Sequence, residues 1–180
     1  VSTIMLVAAG KDIGSGSLDF IIRSNYAEYI EKAKEIYKQY SEKIILPVDA
    51  AYTQNGSRLE TDADSVPKDI AITDIGKKTA DIYAGMIQTA KTVFVNGPMG
   101  IFEKAESELG TKAIWDALGN TSAYAVVGGE DSITAATKYG VTDKISYICT
   151  GGGALIRFLM GKELPVVKAL RYAANRYGTL

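Results

Sequence analysis

The residues best suited to chemistry lie in three glycine-rich segments. Each segment follows a short apolar run that is typical of a buried strand. Asn96-Gly97-Pro98 follows the run 92–95, and the later runs end at Gly128-Gly129 and at Gly151-Gly152-Gly153. Open parallel sheets bind their ligands just beyond the carboxyl ends of the strands. The three segments therefore predict a phosphate-bearing ligand that lies across one edge of a parallel sheet.

Polar side chains in and near these segments suit a nucleotide and a metal ion. Asn96 offers an amide to a phosphate, and Glu103 is able to accept two hydrogen bonds from a ribose diol. Asp131 and Ser132 fall in the first turn of the helix predicted after Gly129, where a carboxylate would hold Mg²⁺ and a hydroxyl would bond a phosphate oxygen. Two simpler interpretations stay open, since Asp131 would also serve as a helix cap and Glu103 as an ordinary solvated glutamate.

The third segment, Gly151-Gly152-Gly153, precedes a predicted helix. Its backbone N–H groups would be free to approach an anion at the positive end of the helix dipole. A tight strand-to-helix turn explains the same glycines equally well. The P-loop pattern does not occur in the sequence, and Ile156 stands where the dinucleotide fingerprint needs its last glycine.

Composition narrows the possible chemistry. The chain has no histidine, which removes Ser-His-Asp and Cys-His schemes, whereas phosphoryl transfer depends on backbone amides, cations and a carboxylate-held metal. Charges nearly cancel, with 20 basic and 21 acidic residues, so neither nucleic acid nor a membrane surface is expected as a partner. The single cysteine, Cys149, fits a reducing, cytoplasmic compartment.

Hydrophobic periodicity predicts alternating strands and helices. An Asn55-Gly56 hairpin is expected as a small excursion outside the sheet, and Gly14 to Ser17 as a loop. This alternation predicts a three-layer α/β/α domain with a parallel sheet. The predicted strands are 44–49, 70–73, 92–95, 124–127 and 145–149, and the predicted helices are 26–40, 79–90, 106–118, one ending at 139, one ending at 159, and 166–177.

Six stretches of the chain resemble phosphoglycerate kinases, and the resemblance covers essentially the whole sequence. It implies a Rossmann-like sheet of order 3-2-1-4-5-6 whose first two strands are missing here. It also implies that residues 1–180 are part of the C-terminal nucleotide-binding domain, without the N-terminal substrate domain. The matching stretches are 96–103, 128–132 and 150–154, which carry the signature loops, together with 46–49, 74–76 and 161–165.

The resemblance also implies the ligands and the reaction. These are MgADP or MgATP and phosphoglycerate, in reversible phosphoryl transfer between 1,3-bisphosphoglycerate and ADP within glycolysis in the cytoplasm. The full enzymes are usually monomeric. This chain alone is expected to be inactive, and to associate with another copy or with a missing piece because two empty sheet positions would leave apolar faces and backbone groups unpaired.

Individual roles follow from the same resemblance. Glu103 would bind the ribose, Asp131 would hold Mg²⁺, and Gly151, Gly152 and Gly153 would donate amides to the transferring phosphoryl group. The remaining nucleotide-binding residues would be Asn96, Gly97, Pro98, Gly100, Gly128, Gly129, Glu130 and Ser132.

Two residues depart from the family pattern. Glu130 replaces a glycine, which is expected to weaken nucleotide binding unless its carboxylate faces solvent or joins the metal. Thr73 stands where a leucine commonly packs on the adenine. Two alternatives are an NAD-dependent Rossmann oxidoreductase, which the incomplete fingerprint contradicts, and a receiver-like binding module using Asp74 and Lys77, which lacks the acidic pair that it needs.

Overall fold

The computed structural model describes residues 1–178, which form two three-stranded sheets with helices around them. The strands are β1 (Asp49–Gln54), β2 (Ser57–Asp62), β3 (Asp74–Ile75), β4 (Thr92–Asn96), β5 (Tyr124–Gly128) and β6 (Tyr147–Cys149). The helices are α1 (Ser2–Ala8), α2 (Gly14–Arg23), α3 (Tyr29–Tyr40), α4 (Lys77–Thr89), α5 (Leu109–Gly119), α6 (Glu130–Lys138), α7 (Gly153–Leu159) and α8 (Pro165–Tyr177).

Strands β4, β5 and β6 form the predicted parallel sheet, in that order. Each is joined to the next through a helix, as parallel pairing requires. The strands predicted at 92–95, 124–127 and 145–149 are therefore confirmed, and the α/β class with them. The predicted helices are confirmed as well, with ends that differ by a few residues.

The Asn55-Gly56 hairpin lies outside the parallel sheet, as expected, but it belongs to a second sheet that the sequence does not predict. Asn55 and Gly56 have φ values of 52° and 75°, as a type I′ turn requires, so the hairpin itself is confirmed. However, β1 is the central strand of an antiparallel sheet of order β2-β1-β3. Its first residues, Asp49, Ala50 and Ala51, are buried.

The strand predicted at 44–49 is wrong, because its backbone groups find partners elsewhere. Thr79 Oγ1 accepts hydrogen bonds from the N–H groups of Val48 and Asp49, at 3.0 and 3.2 Å. Tyr83 donates its hydroxyl to Ile45 O at 2.7 Å, and Pro47 has no N–H to give to a ladder. Pairing begins only at Asp49.

Two further local predictions are wrong, and both concern segments that contact each other in the structure. The residues expected as a loop at Gly14 to Ser17 form the first turn of α2, and the strand predicted at 70–73 is displaced to Asp74–Ile75. Ile72 N donates to Ser17 Oγ at 2.9 Å instead of to a carbonyl group of a neighbouring strand. A Cβ on Gly16 would lie 2.6 Å from the carbonyl carbon of Ile70, so α2 packs directly against the backbone of residue 70.

The hydrophobic core consists of two clusters. The larger one joins the parallel sheet to its helices and includes Trp115, which is fully buried. The smaller cluster contains Leu6, Ile13, Ile21 and Ala63.

Large apolar side chains are exposed on several of the described elements, among them the edge strand β4 and helices α7 and α8. Among the described residues β4 pairs with β5 alone, and Phe94 on β4 is 44% exposed beside a groove of about 450 Å³. Helices α7 and α8 also expose large apolar side chains, among them Phe158 and Leu170. No helix within residues 1–178 is long and apolar enough to cross a membrane.

Candidate functional site

The three glycine-rich segments come together at one edge of the parallel sheet. Asn96 is in register with Gly128, and Gly128 is in register with Cys149, so the three strands end side by side. The segments that follow them therefore emerge next to one another, as the sequence predicts for a ligand site beyond the carboxyl ends of the strands.

The first segment continues as the 96–103 loop, whose backbone is held by side chains. Gly97, at φ 103°, donates its N–H to Ser132 Oγ at 2.6 Å, and Ser132 is fully buried. Thr111 Oγ1 accepts hydrogen bonds from Met99 N and Gly100 N, each at 3.2 Å. Sequence reasoning missed Thr111 and this contact of Ser132, because no local pattern shows which loop a remote hydroxyl contacts.

The second segment leads into α6, whose two acidic residues are exposed. Gly129 has φ 89°, and a Cβ there would lie 3.1 Å from Asn96 Oδ1, so the glycine keeps the first two segments close together. Glu130 and Asp131 occupy the first turn of α6 and both are exposed. Their carboxylates are thus accessible at the sheet edge.

The third segment is the most open part of the edge. Gly151, Gly152 and Gly153 are exposed, and Gly152 has φ 50°. Gly128 lies beneath α7, where any Cβ would collide with the side chain of Leu155. This contact fixes the second segment against the helix that follows the third.

Asp74 forms a buried centre beside the 96–103 loop. Its Oδ2 accepts hydrogen bonds from Gly110 N at 2.8 Å and from Arg58 Nη1 at 2.9 Å, and its Oδ1 accepts one from Ile75 N at 2.9 Å. Burial raises the pKa of Asp74, while the donors from Gly110 and Arg58 act in the opposite direction. Only the fold reveals this centre, since its partners lie far apart in the sequence.

A second polar cluster holds the far end of the 96–103 loop. Lys138 Nζ forms an ion pair with Glu108 Oε2 at 2.7 Å and donates to Phe102 O at 2.5 Å. It also lies 5.7 Å from the ring centre of Phe102 and 5.4 Å from that of Tyr139. Glu103 follows Phe102 directly and is exposed, so this cluster holds the backbone next to Glu103 in position.

We expect Glu108→Gln to lower stability at neutral pH and to have little effect in acid. The hydrogen bond from Lys138 lowers the pKa of Glu108 below its ordinary value of 4.5, so its stabilising contribution is present above that value. It is lost as the pH falls through the lower, folded-state pKa. Thermal midpoints of both proteins, measured from about pH 7 to about pH 3, should converge in acid.

The partner variant Lys138→Met supplies the control for this prediction. It removes the same ion pair, so its difference from the unsubstituted protein should shrink over the same acid range. A Glu108→Gln effect that stays constant across the whole pH range would contradict the assignment.

A cavity of about 170 Å³ opens beside the 96–103 loop. Its walls are mainly apolar, and Leu6, Ile72 and Ile101 are among them. Thr73 and Gly100 also line the cavity, so it touches the loop directly. The cavity therefore offers an apolar recess next to the polar sheet edge.

No group of three or more His, Cys, Asp or Glu side chains is placed to hold a metal ion among residues 1–178. Asp131 is nevertheless suited to Mg²⁺, because this ion is commonly bound by one or two carboxylates together with the phosphate oxygens of a substrate. The donor set at the edge therefore fits a metal that arrives with a phosphate ligand.

A parallel sheet with three glycine-rich exits at one edge, an exposed carboxylate and a neighbouring apolar recess is typical of the class of α/β proteins whose ligands lie beyond the carboxyl ends of the strands. A family model described as phosphoglycerate kinase matches residues 1–162. The chain belongs to the phosphoglycerate kinase family. The NAD-dependent and receiver-like alternatives receive no support from these matches.

Individual relatives agree with the family match. The phosphoglycerate kinase of Methanothermus fervidus is 41% identical over 176 residues, which are 98% of this chain and 43% of the relative. The crystal structure of the Pyrococcus horikoshii enzyme superposes with a TM-score of 0.88 at 36% identity, over 98% of this chain and 44% of that one. The Coxiella burnetii enzyme gives a TM-score of 0.80 at 32% identity, over 93% and 43%. The chain therefore spans less than half the length of these relatives.

Proposed function

We propose that this chain is the nucleotide-binding part of a phosphoglycerate kinase. It would bind MgADP or MgATP for reversible phosphoryl transfer between 1,3-bisphosphoglycerate and ADP. The observation that carries the proposal is the side-by-side ending of β4, β5 and β6 at Asn96, Gly128 and Cys149. Family membership supports the same ligand.

The base and ribose would lie along the 96–103 loop. The apolar recess suits a flat purine ring, with Leu6, Thr73 and Ile101 in its walls. Exposed Glu103 would accept hydrogen bonds from the ribose hydroxyls. Pro98 and Gly100 would line the path between base and phosphates.

The phosphates would lie between the three strand exits. Asn96, Gly97, Gly128 and Gly129 would surround them, while Ser132 would act by holding Gly97 in place. Gly151, Gly152 and Gly153 would donate backbone amides to the transferring phosphoryl group. These amides stabilise charge where it develops, which is the main catalytic effect needed for phosphoryl transfer.

Asp131 would hold the Mg²⁺ that accompanies the nucleotide. When bound, this ion neutralises charge on the phosphate oxygens during transfer. Glu130 is exposed, so its carboxylate is free to face solvent rather than the phosphates. That orientation would limit the loss of affinity expected from its charge.

We further propose that residues 1–180 are a partial C-terminal domain and do not complete the reaction by themselves. The open edge of β4, the exposed Phe94 and the adjacent groove support an added neighbour there, either another copy or a further piece of the protein. The family reaction and the lone cysteine support a cytoplasmic location. A sedimentation measurement that gives a compact monomer of this mass alone would exclude the added neighbour.

Calorimetric titration with MgADP tests the nucleotide site directly. Asp131→Ala is expected to weaken MgADP binding by about tenfold or more, because a metal ligand is lost. ADP titrated with a chelator should bind the variant and the unsubstituted protein alike.

Asp143→Ala is the matched control, since it removes an exposed carboxylate from the turn Thr142–Lys144. It should leave MgADP binding unchanged. Absence of binding by a sample shown to be folded would refute the proposed function, and equal losses in both variants would refute the role of Asp131.

A further inference from the structure

Arg58 on β2 does not line the recess assigned to the base, yet its side chain reaches the residues beside the 96–103 loop. Its Nη1 donates to Asp74 Oδ2 at 2.9 Å and to Glu106 O at 3.2 Å, and its Nη2 donates to Ile75 O at 2.8 Å. The Arg58 side chain is only 16% exposed. One guanidinium therefore joins the hairpin, β3 and the turn Ala105–Ser107.

The carboxylate of Asp74 is fixed in both position and orientation. Its side chain has no exposed surface, and a charge buried so deeply requires donors that surround it. Arg58, Gly110 N and Ile75 N supply them. Removal of any one would leave part of the charge unpaired, so the group has little freedom to move.

The 96–103 loop lies directly on this carboxylate. A Cβ at Gly100 would be 2.5 Å from Asp74 Cγ and 2.6 Å from Ser107 O, so loop backbone and carboxylate are in contact with nothing between them. The next loop residue, Ile101, donates its N–H to Thr73 O at 2.9 Å. The position of residues 73–74 therefore sets the position of the loop.

We propose that Asp74 is a positioning residue for the 96–103 loop and that Arg58 braces it from the hairpin. This inference rests on the proposed function, because the loop lines the recess assigned to the base through Gly100 and Ile101. Asp74 and the β1 residues Asp49 and Ala50 also line this recess, but the Asp74 carboxylate has no exposed surface and would act on the nucleotide through the loop. Arg58 thereby takes part in nucleotide affinity without lining the recess.

Two variants and two measurements test this inference. Asp74→Asn keeps the size of the side chain but removes its charge. Arg58→Lys keeps the charge but loses the fork that spans four acceptors, which are Glu60, Asp74 and the carbonyl groups of Ile75 and Glu106. Hydrogen exchange of Gly97, Gly100 and Ile101 is measured without ligand, and MgADP affinity is measured by calorimetry well below each thermal midpoint. Arg58→Lys keeps the test available if Asp74→Asn does not fold.

Each variant is expected to speed exchange of the loop amides by about tenfold or more. Each should also weaken MgADP binding by about tenfold. Ile13→Val is the control, because Ile13 is buried in the smaller core cluster and its trimming lowers general stability. That variant should change neither loop exchange nor affinity.

Unchanged loop exchange in a folded variant would overturn the inference, and so would faster exchange with unchanged affinity. An unsubstituted protein that is folded and fails to bind MgADP would instead overturn the proposed function. The exchange comparison would still decide whether Asp74 fixes the loop, so the two failures are distinct.

Discussion

Replacing Trp115 with alanine is expected to lower the free energy of unfolding by about 3–5 kcal/mol. The indole is completely buried in the larger core cluster, so its loss removes apolar burial and leaves a cavity. The free energy of unfolding of a typical domain is only about 5–15 kcal/mol, so the variant would lose a large fraction of it. Urea unfolding followed by circular dichroism measures the change.

Trp115→Phe is the matched variant for this prediction. Trp115 Nε1 has no hydrogen-bond partner among the described residues, so phenylalanine keeps an aromatic ring while removing an unpaired donor. Its destabilisation should be clearly smaller than that of Trp115→Ala. If both variants lowered the free energy of unfolding by the same amount, the buried aromatic volume that phenylalanine keeps would not be what stabilises the protein.

Replacing Gly16 with alanine is expected to destabilise the protein by about 1–3 kcal/mol, the usual cost of overpacking. The added Cβ would lie 2.6 Å from the carbonyl carbon of Ile70 and 2.9 Å from Ala71 N. These are backbone atoms, which cannot move aside as a flexible side chain can. Helix α2 would have to shift, and the 2.9 Å hydrogen bond from Ile72 N to Ser17 Oγ would lengthen.

Gly85→Ala provides the control of opposite sign. Gly85 is also a helical glycine, in α4, but a Cβ there meets nothing within 4 Å. Alanine should therefore stabilise the protein by about 0.5–1 kcal/mol through its better helix propensity. If chemical denaturation gave both variants the same sign, close contact at Gly16 would not be the controlling factor.

The same glycine shows why part of the fold escapes prediction from sequence. Gly14 to Ser17 has the composition of a loop, and its helical state depends on the backbone of 68–72 lying against it. The segment 44–48 has the apolar pattern of a strand, but Thr79 and Tyr83 take its backbone groups. Both outcomes depend on partners distant in the sequence.

The parallel sheet was predictable because its signal is local. Each of β4, β5 and β6 is an apolar run that ends in glycine and leads towards a helix, so strand, turn and helix can be recognised within a short window. The same reasoning identified Asn96, Gly128 and Gly129, which the structure brings to one edge. It could not identify Thr111 or Arg58, whose contacts cross between elements.

The contact between Gly128 and Leu155 has a consequence for how this sequence can change over generations. A larger residue at position 128 would collide with Leu155, and a smaller residue at position 155 alone would leave a gap beneath the helix. The obstructing atom is the end of a flexible, half-exposed side chain, so Leu155 is able to turn aside at some cost in packing. Substitutions at positions 128 and 155 are therefore expected to be non-additive, and a change at one position should alter which residues are accepted at the other.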